Sequence, residues 1–239
     1  MHVVANQKLI STRVKIASAA HLAALGVFAV GLILSWSNPE PTTELMVGAY
    51  IAIIVGLILY NVGQKFLRRF GPRFRADGIL EKTLKGLDRR YTLLVFPQLK
   101  LPDYILVGPA GIQVIVPRAH DGAISCRANV WYRDPGKGLK RIGALFGGVP
   151  FGDPSNDVAK GIARIKERLE QAGIGEKEQP PIDGIIIFTN PAAKLRIDGC
   201  SYPVTGLKGL RSNVRGAKGA RDRALDERGV ERVVQALTG

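Results

Sequence analysis

Residues 103–122, DYILVGPAGIQVIVPRAHDG, hold the side chains whose types and spacing suggest chemistry. Asp103 precedes one apolar run, and Arg118, His120 and Asp121 follow a second. A carboxylate opening one central strand and a charged pair closing the next is how a metal-dependent phosphodiester-cleaving centre is built. Oxygen ligands hold the ion, and the ion activates water and offsets charge on the phosphate. Plainer roles exist for each group. Asp103 can cap a strand end by accepting backbone hydrogen bonds. Arg118 can bind a phosphate, or pair with Asp103 or Asp121 across the hairpin. His120 beside Asp121 offers a general base, against the plainer reading of a surface histidine in a turn.

These groups need strands to position them. Residues 104–107 and 112–116 are rich in β-branched side chains, and Gly108-Pro109-Ala110-Gly111 between them is turn chemistry. Both runs are nearly all apolar, which predicts a hairpin at the centre of a sheet covered on both faces. A strand over residues 91–96 precedes it. Short strands over 123–127 and 129–133 follow the turn at Asp121-Gly122. Residues 154–171 form a helix, with Pro154 in the first turn and Val158, Ile162, Ile165 and Leu169 on one face. Residues 184–189, GIIIFT, read as a buried strand, so that strand, helix and strand make a crossover unit at the edge of the sheet. An amphipathic helix opens at Asp77, with Leu80, Leu84 and Leu87 as its stripe. The Gly/Pro-rich stretch 134–154 reads as a long loop, and residues 224–237 as a closing helix.

The N-terminal part is of another kind. Residues 16–36 carry no charged side chain and would make a helix about 30 Å long, enough to cross a bilayer core. A second apolar span, residues 45–62, follows after a short polar turn. The immediate second span favours a membrane hairpin over a cleaved signal peptide. Trp36 and Tyr60 lie near span ends, where amphipathic rings favour the interface. His21 lies within the first span, to pack near headgroups or against the second helix. The turn holds Glu40 and Glu44. Lys8, Arg13 and Lys15 precede the hairpin, and Lys65, Arg68, Arg69, Arg73 and Arg75 follow it. This asymmetry predicts an inner-membrane protein with both termini in the cytoplasm. It also makes Arg68, Arg69, Arg73 and Arg75 candidate contacts for anionic lipid headgroups.

The chain has 239 residues, a formal net charge of +14 and a pI near 10.1, which favours anionic partners such as DNA, RNA or acidic lipid. Within residues 206–223, Lys208, Arg211, Arg215, Lys218, Arg221 and Arg223 stand among glycines and suit phosphate or lipid contact. Two cysteines allow one bridge but no disulfide framework, and a reducing compartment fits them. The three histidines are scattered, which argues against a Cys/His zinc site.

Glu81 on an early helix, Asp103 opening DYILVGPAGIQVIV, the Asp121-Gly122 turn, Trp131 and the helix after Asp153-Pro154 together resemble the nuclease-related domain (NERD) family. The resemblance covers about residues 77–205. It implies an α/β, restriction-endonuclease-like mixed sheet flanked by helices, of the PD-(D/E)xK superfamily, here preceded by a two-helix transmembrane hairpin. It implies the metal ligands Asp103 and Glu81, with Mg²⁺ as cofactor if the site is active, and Arg118 at the position of the catalytic lysine. Members of the family are often joined to membrane spans. The pattern departs at decisive places. Val116 stands where the second strand should carry glutamate, and Arg118 where it should carry lysine. Asp153-Pro154 is followed by Ser155-Asn156-Asp157, without the usual glutamine. Valine cannot ligate a metal, and arginine stays protonated. Glu81 has the alternative of an exposed helix residue paired with Lys85 four positions on. Five segments are expected: residues 1–15 as a cytoplasmic segment, 16–64 as the membrane hairpin, 65–76 as a basic linker, 77–205 as the NERD-like domain, and 206–239 as a basic segment with a final helix. The expected function is a membrane-anchored, catalytically degenerate module that binds nucleic acid or another anionic partner. The alternative is a Mg²⁺-dependent nuclease with relocated ligands.

Overall fold

The first six residues do not form a tail. Residues His2–Ala5 are a strand, β1, that pairs in parallel with β2 (Thr92–Val95), His2 opposite Thr92 and Ala5 opposite Val95. The computed structural model describes residues 1–36, 42–134, 151–215 and 225–239. It divides into two units: residues 1–6 with 76–239, and residues 7–75. The chain therefore opens in the α/β unit, passes through a helical unit, and returns.

The α/β unit is built on a six-stranded mixed sheet in the order β1-β2-β3-β4-β7-β9. Strands β3 (Tyr104–Gly108) and β4 (Gly111–Arg118) are the expected hairpin and lie at its centre. Gly108 faces Gly111 across a two-residue turn. Gly111 has φ +108°, and a Cβ there would stand 2.3 Å from the Pro181 carbonyl oxygen, so only glycine fits. Later in the chain helix α4 (Pro154–Gln171) leads to β7 (Ile182–Phe188), which pairs with β4 in parallel. This is the expected crossover, but it is internal: β9 (Val204–Gly206) pairs on the outer side of β7. A second sheet, β6-β5-β8, is formed by β5 (Gly122–Arg127), β6 (Val130–Asp134) and β8 (Ala193–Asp198).

Alternation along the central strands serves two cores. Ile112, Val114 and Val116 of β4 face one side, where they join Val158, Ile165 and Leu169 of α4 and Val230, Val233 and Leu237 of α6 (Glu227–Thr238). Leu93, Leu106, Ile115 and Ile187 are buried on the other side. Helix α3 (Asp77–Leu84) starts over that side, because the Ala76 amide donates to the Tyr104 hydroxyl at 2.8 Å. Helix α5 (Leu210–Arg215) lies against α3; residues 207–215 are a short 3-10 turn and this helix, not an irregular basic segment. Cys126 of β5 and Cys200 are joined as a disulfide with Cα atoms 6.3 Å apart, so the bridge left open by the sequence is present.

The sheet has two distinct edges. At one, Asn6 donates its amide to Val95, Ala76 meets Tyr104, and β4 ends at Arg118. Both passages to the helical unit, after Asn6 and before Ala76, leave from this tether edge. At the other, the β3–β4 turn meets the N-terminus: the Met1 ammonium donates to Leu87, and the Leu225 amide to Pro109. This is the turn edge.

The helical unit comprises α1 (Gln7–Trp36) and α2 (Thr43–Phe70), both long and apolar enough to cross a membrane. They start earlier and end later than the expected spans, so residues 65–70 are helix rather than linker. The buried positions recur every seven residues: Ile10, Ala17, Ala24 and Gly31 on α1, and Gly56, Gly63 and Phe70 on α2. Such a repeat winds two helices left-handedly, and small residues let them approach. The Phe28 ring lies over Gly56, and His21 packs against Gly63 and edge-on to Tyr60 at 5.3 Å between ring centroids. His21 thus takes the second of its two expected placements. Arg13 lies over the Phe66 ring at 5.5 Å, which puts the basic start of α1 beside the basic end of α2.

One packing contact tests the crossover. A Cβ at Gly184 of β7 would sit 2.0 Å from the Val158 side chain of α4. Gly184→Ala should therefore cost about 1–3 kcal/mol through overpacking. Chemical denaturation of the purified chain measures this, and unchanged stability would contradict the α4–β7 contact.

Candidate functional site

The tether edge collects the polar groups that the sequence singled out. Ile105 pairs with Val114 in an antiparallel ladder, so continuing the register sets Asp103 level with Val116. Asp103 and Arg118 are therefore at the same end of the hairpin. The N-terminus of α4 arrives there too, because α4 carries the chain back from the second sheet to the start of β7.

Local sequence explains that arrival. Asp153 is the N-cap, accepting from the amides of Ser155 at 2.9 Å and Asn156 at 3.1 Å, and Pro154 opens the helix. Asp157, in the first turn, forms an ion pair with Arg118. Acid in the first turn is also favoured by the helix dipole. The Arg118 side chain is 17% exposed, and its Nε is buried with no hydrogen-bond partner. Its carbonyl accepts from the Thr189 amide at 2.9 Å, which ties the end of β4 to the residue after β7. Trp131 of β6 donates its indole N–H to the Ser155 hydroxyl at 2.8 Å. Phe151 meets His120 and Trp131 edge-on and stacks on Phe188, with ring centroids 5.1–6.4 Å away.

Several expectations change. Arg118 pairs with Asp157, not with Asp103 or Asp121. Asp121, just before β5, instead pairs with Arg133 of β6, whose guanidinium reaches it at 2.9 Å. His120 is buried, 8% exposed, rather than a surface turn histidine, because the Phe151 ring covers it. Glu81 is exposed on α3. Lys85, four positions on, is the C-cap of the helix.

These placements bear on metal chemistry. Among the described residues no group of three or more His, Cys, Asp or Glu side chains comes together. Val116 belongs to the apolar core. Asp121 and Asp157 each face an arginine guanidinium, which does the charge compensation that a cation would otherwise do. The residues present do not fit a resident Mg²⁺ with several carboxylate ligands.

The basic candidates have separate fates. Arg68 and Arg69 are in the last turn of α2, where positive charge suits the helix end, and Arg73 and Arg75 follow within the same unit. Lys208 is exposed on the turn before α5. Arg211 donates to the Thr83 carbonyl and Arg215 to that of Gly86 at 3.4 Å, so both bind the end of α3. Lys218, Arg221 and Arg223, like most of the 134–154 loop, lie outside the described residues. Asp157, Ser155 and Arg133 were not singled out as partners. The Asp153-Pro154 cap announced the helix start, but nothing local announces which strand end it meets.

Comparison with protein-family models, with curated proteins and with solved structures finds no match. The candidate site is therefore defined by its own geometry.

That geometry depends on the α4 cap. Asp153→Ala should cost about 1 kcal/mol by removing the acceptor of two helix amides. Thermal unfolding in detergent reads this directly, and an unshifted midpoint would show that Asp153 does not seat α4.

Proposed function

We propose that this chain is a membrane-anchored module of the NERD kind that has lost its metal chemistry and holds an anionic partner, nucleic acid first, at the cytoplasmic face of the inner membrane. The observation that carries the reading is the pairing of Arg118 with Asp157. It sets a permanent cation, itself neutralised by an acid, at the strand end where catalysis needs a metal ligand and a lysine. The net charge of +14 supports a polyanionic partner. The parallel pairing of β1 with β2 supports a hairpin whose two ends lie on one side of a membrane, because both ends join one sheet. The Lys and Arg flanks of α1 and α2 favour the cytoplasmic side.

The test uses the full chain in nanodiscs, since residues 1–6 belong to the α/β unit. The expected result is binding of DNA or RNA that weakens steeply with salt, with no cleavage in Mg²⁺. Cleavage that requires Mg²⁺ and disappears in Asp103→Ala would overturn the loss of catalysis and restore the nuclease reading.

The Cys126–Cys200 pair tests the sidedness. Disulfides persist in oxidising compartments and are reduced in the cytoplasm. Acid quenching of cells, followed by denaturation and alkylation, should find both thiols reduced, with the bond closing after lysis in air. A fully oxidised pair in growing cells would place the α/β unit on the opposite side.

A further inference from the structure

The turn edge of the sheet gathers cations that lie far apart in the sequence. Arg211 reaches the carbonyl of Thr83, and Arg215 that of Gly86, so α5 is laid along the end of α3 and the segment leading into β2. That segment carries Lys82, Lys85, Arg89 and Arg90, all exposed, as are Arg211 and Arg215. The acids nearby are Glu81, Asp88 and Glu227. Asp88 bonds Arg90 at 2.7–2.9 Å, and Glu227 adds its field at Arg90. A guanidinium has five N–H donors, and each carbonyl contact of Arg211 and Arg215 uses one nitrogen, leaving further donors on exposed side chains. Binding the carbonyls of Thr83 and Gly86 also restrains the two arginines, which lowers the ordering cost of a later contact.

We propose that this surface, centred on Lys85, Arg89, Arg90, Arg211 and Arg215, binds the phosphate backbone of a nucleic acid; the assignment rests on the anionic-partner reading above and gives that partner a place and a class. Charge complementarity chooses the occupant. The cations lie at the turn edge, where Leu87 meets Met1 and Tyr91 packs on Gly108, and exposed guanidinium and ammonium groups clustered along one surface are the complement of a phosphate backbone. The carbonyl-anchored arginines read no base, so the contact is independent of sequence.

The experiment uses the full chain in nanodiscs of zwitterionic lipid, with a fluorescent single-stranded DNA, duplex DNA and RNA titrated across a salt series. The variant is Lys85→Glu with Arg89→Glu, two exposed side chains that leave the α3–α5 carbonyl contacts intact. The charge-matched control is Lys100→Glu with Lys160→Glu, exposed residues of the β2–β3 connection and of α4. Wild type should bind at low salt. The variant should lose about tenfold or more in affinity, with its log–log salt slope lower by about two, while the control stays within about twofold. Equal losses in variant and control would overturn the patch and leave the anionic-partner reading standing. Absence of any nucleic-acid binding by wild type would remove both. Amide-exchange protection of residues 82–90 by anionic-lipid nanodiscs, and not by DNA, would assign the surface to a membrane and overturn the proposal.

Discussion

The pairing of β1 with β2 constrains everything else in the chain. It joins residues 2–5 to residues 92–95 across two long helices. An edge strand of four residues has little stability of its own, and the entropy of closing so long a loop must be met by something. The helices supply it by folding as a hairpin. Their seven-residue repeat of small side chains brings the start of α1 beside the end of α2, as the Arg13–Phe66 contact shows. A hairpin that returns to its own starting point shortens the effective loop to the few residues at its ends. Each unit packs its own core.

The same pairing gives the sheet its polarity. β1 leads directly into α1 and the chain re-enters at Ala76, so one edge carries both tethers. That edge also carries Asp103, Arg118 and the capped start of α4. Here charges are balanced in pairs, Arg118 with Asp157 and Arg133 with Asp121, and aromatic rings close over His120. At this edge, then, Arg118 and Arg133 are each held by a carboxylate. The turn edge is its opposite: exposed cations, and arginines held by main-chain carbonyls.

How far this was legible in the sequence follows from range. The β3–β4 hairpin, α4 and the two apolar helices are written in local patterns: alternation around Gly108-Pro109-Ala110-Gly111, a cap at Asp153-Pro154, and long uncharged runs. β1 was not legible, because His2-Val3-Val4-Ala5 is too short to signal a strand and its partner lies ninety positions away. β9 and α5 were hidden in a stretch whose glycines and cations read as irregular. The partners of Arg118 and Asp121 depend on how α4 and β6 return to the edge, which no spacing encodes. The departure of Val116 and Arg118 from the metal-binding pattern was readable at once. The two arginine–carboxylate pairs, Arg118 with Asp157 and Arg133 with Asp121, needed the fold.

Amide hydrogen exchange on the full chain in nanodiscs tests the founding contact most directly, by following residues 2–5 together with residues 92–95. The expected result is that the amides of β1 are protected and open in step with those of β2, at rates far slower than a free terminus. If residues 2–5 exchange as fast as an unstructured tail while β2 stays protected, the strand is not part of the sheet, and the account of a chain tied back on itself across its helical hairpin is wrong.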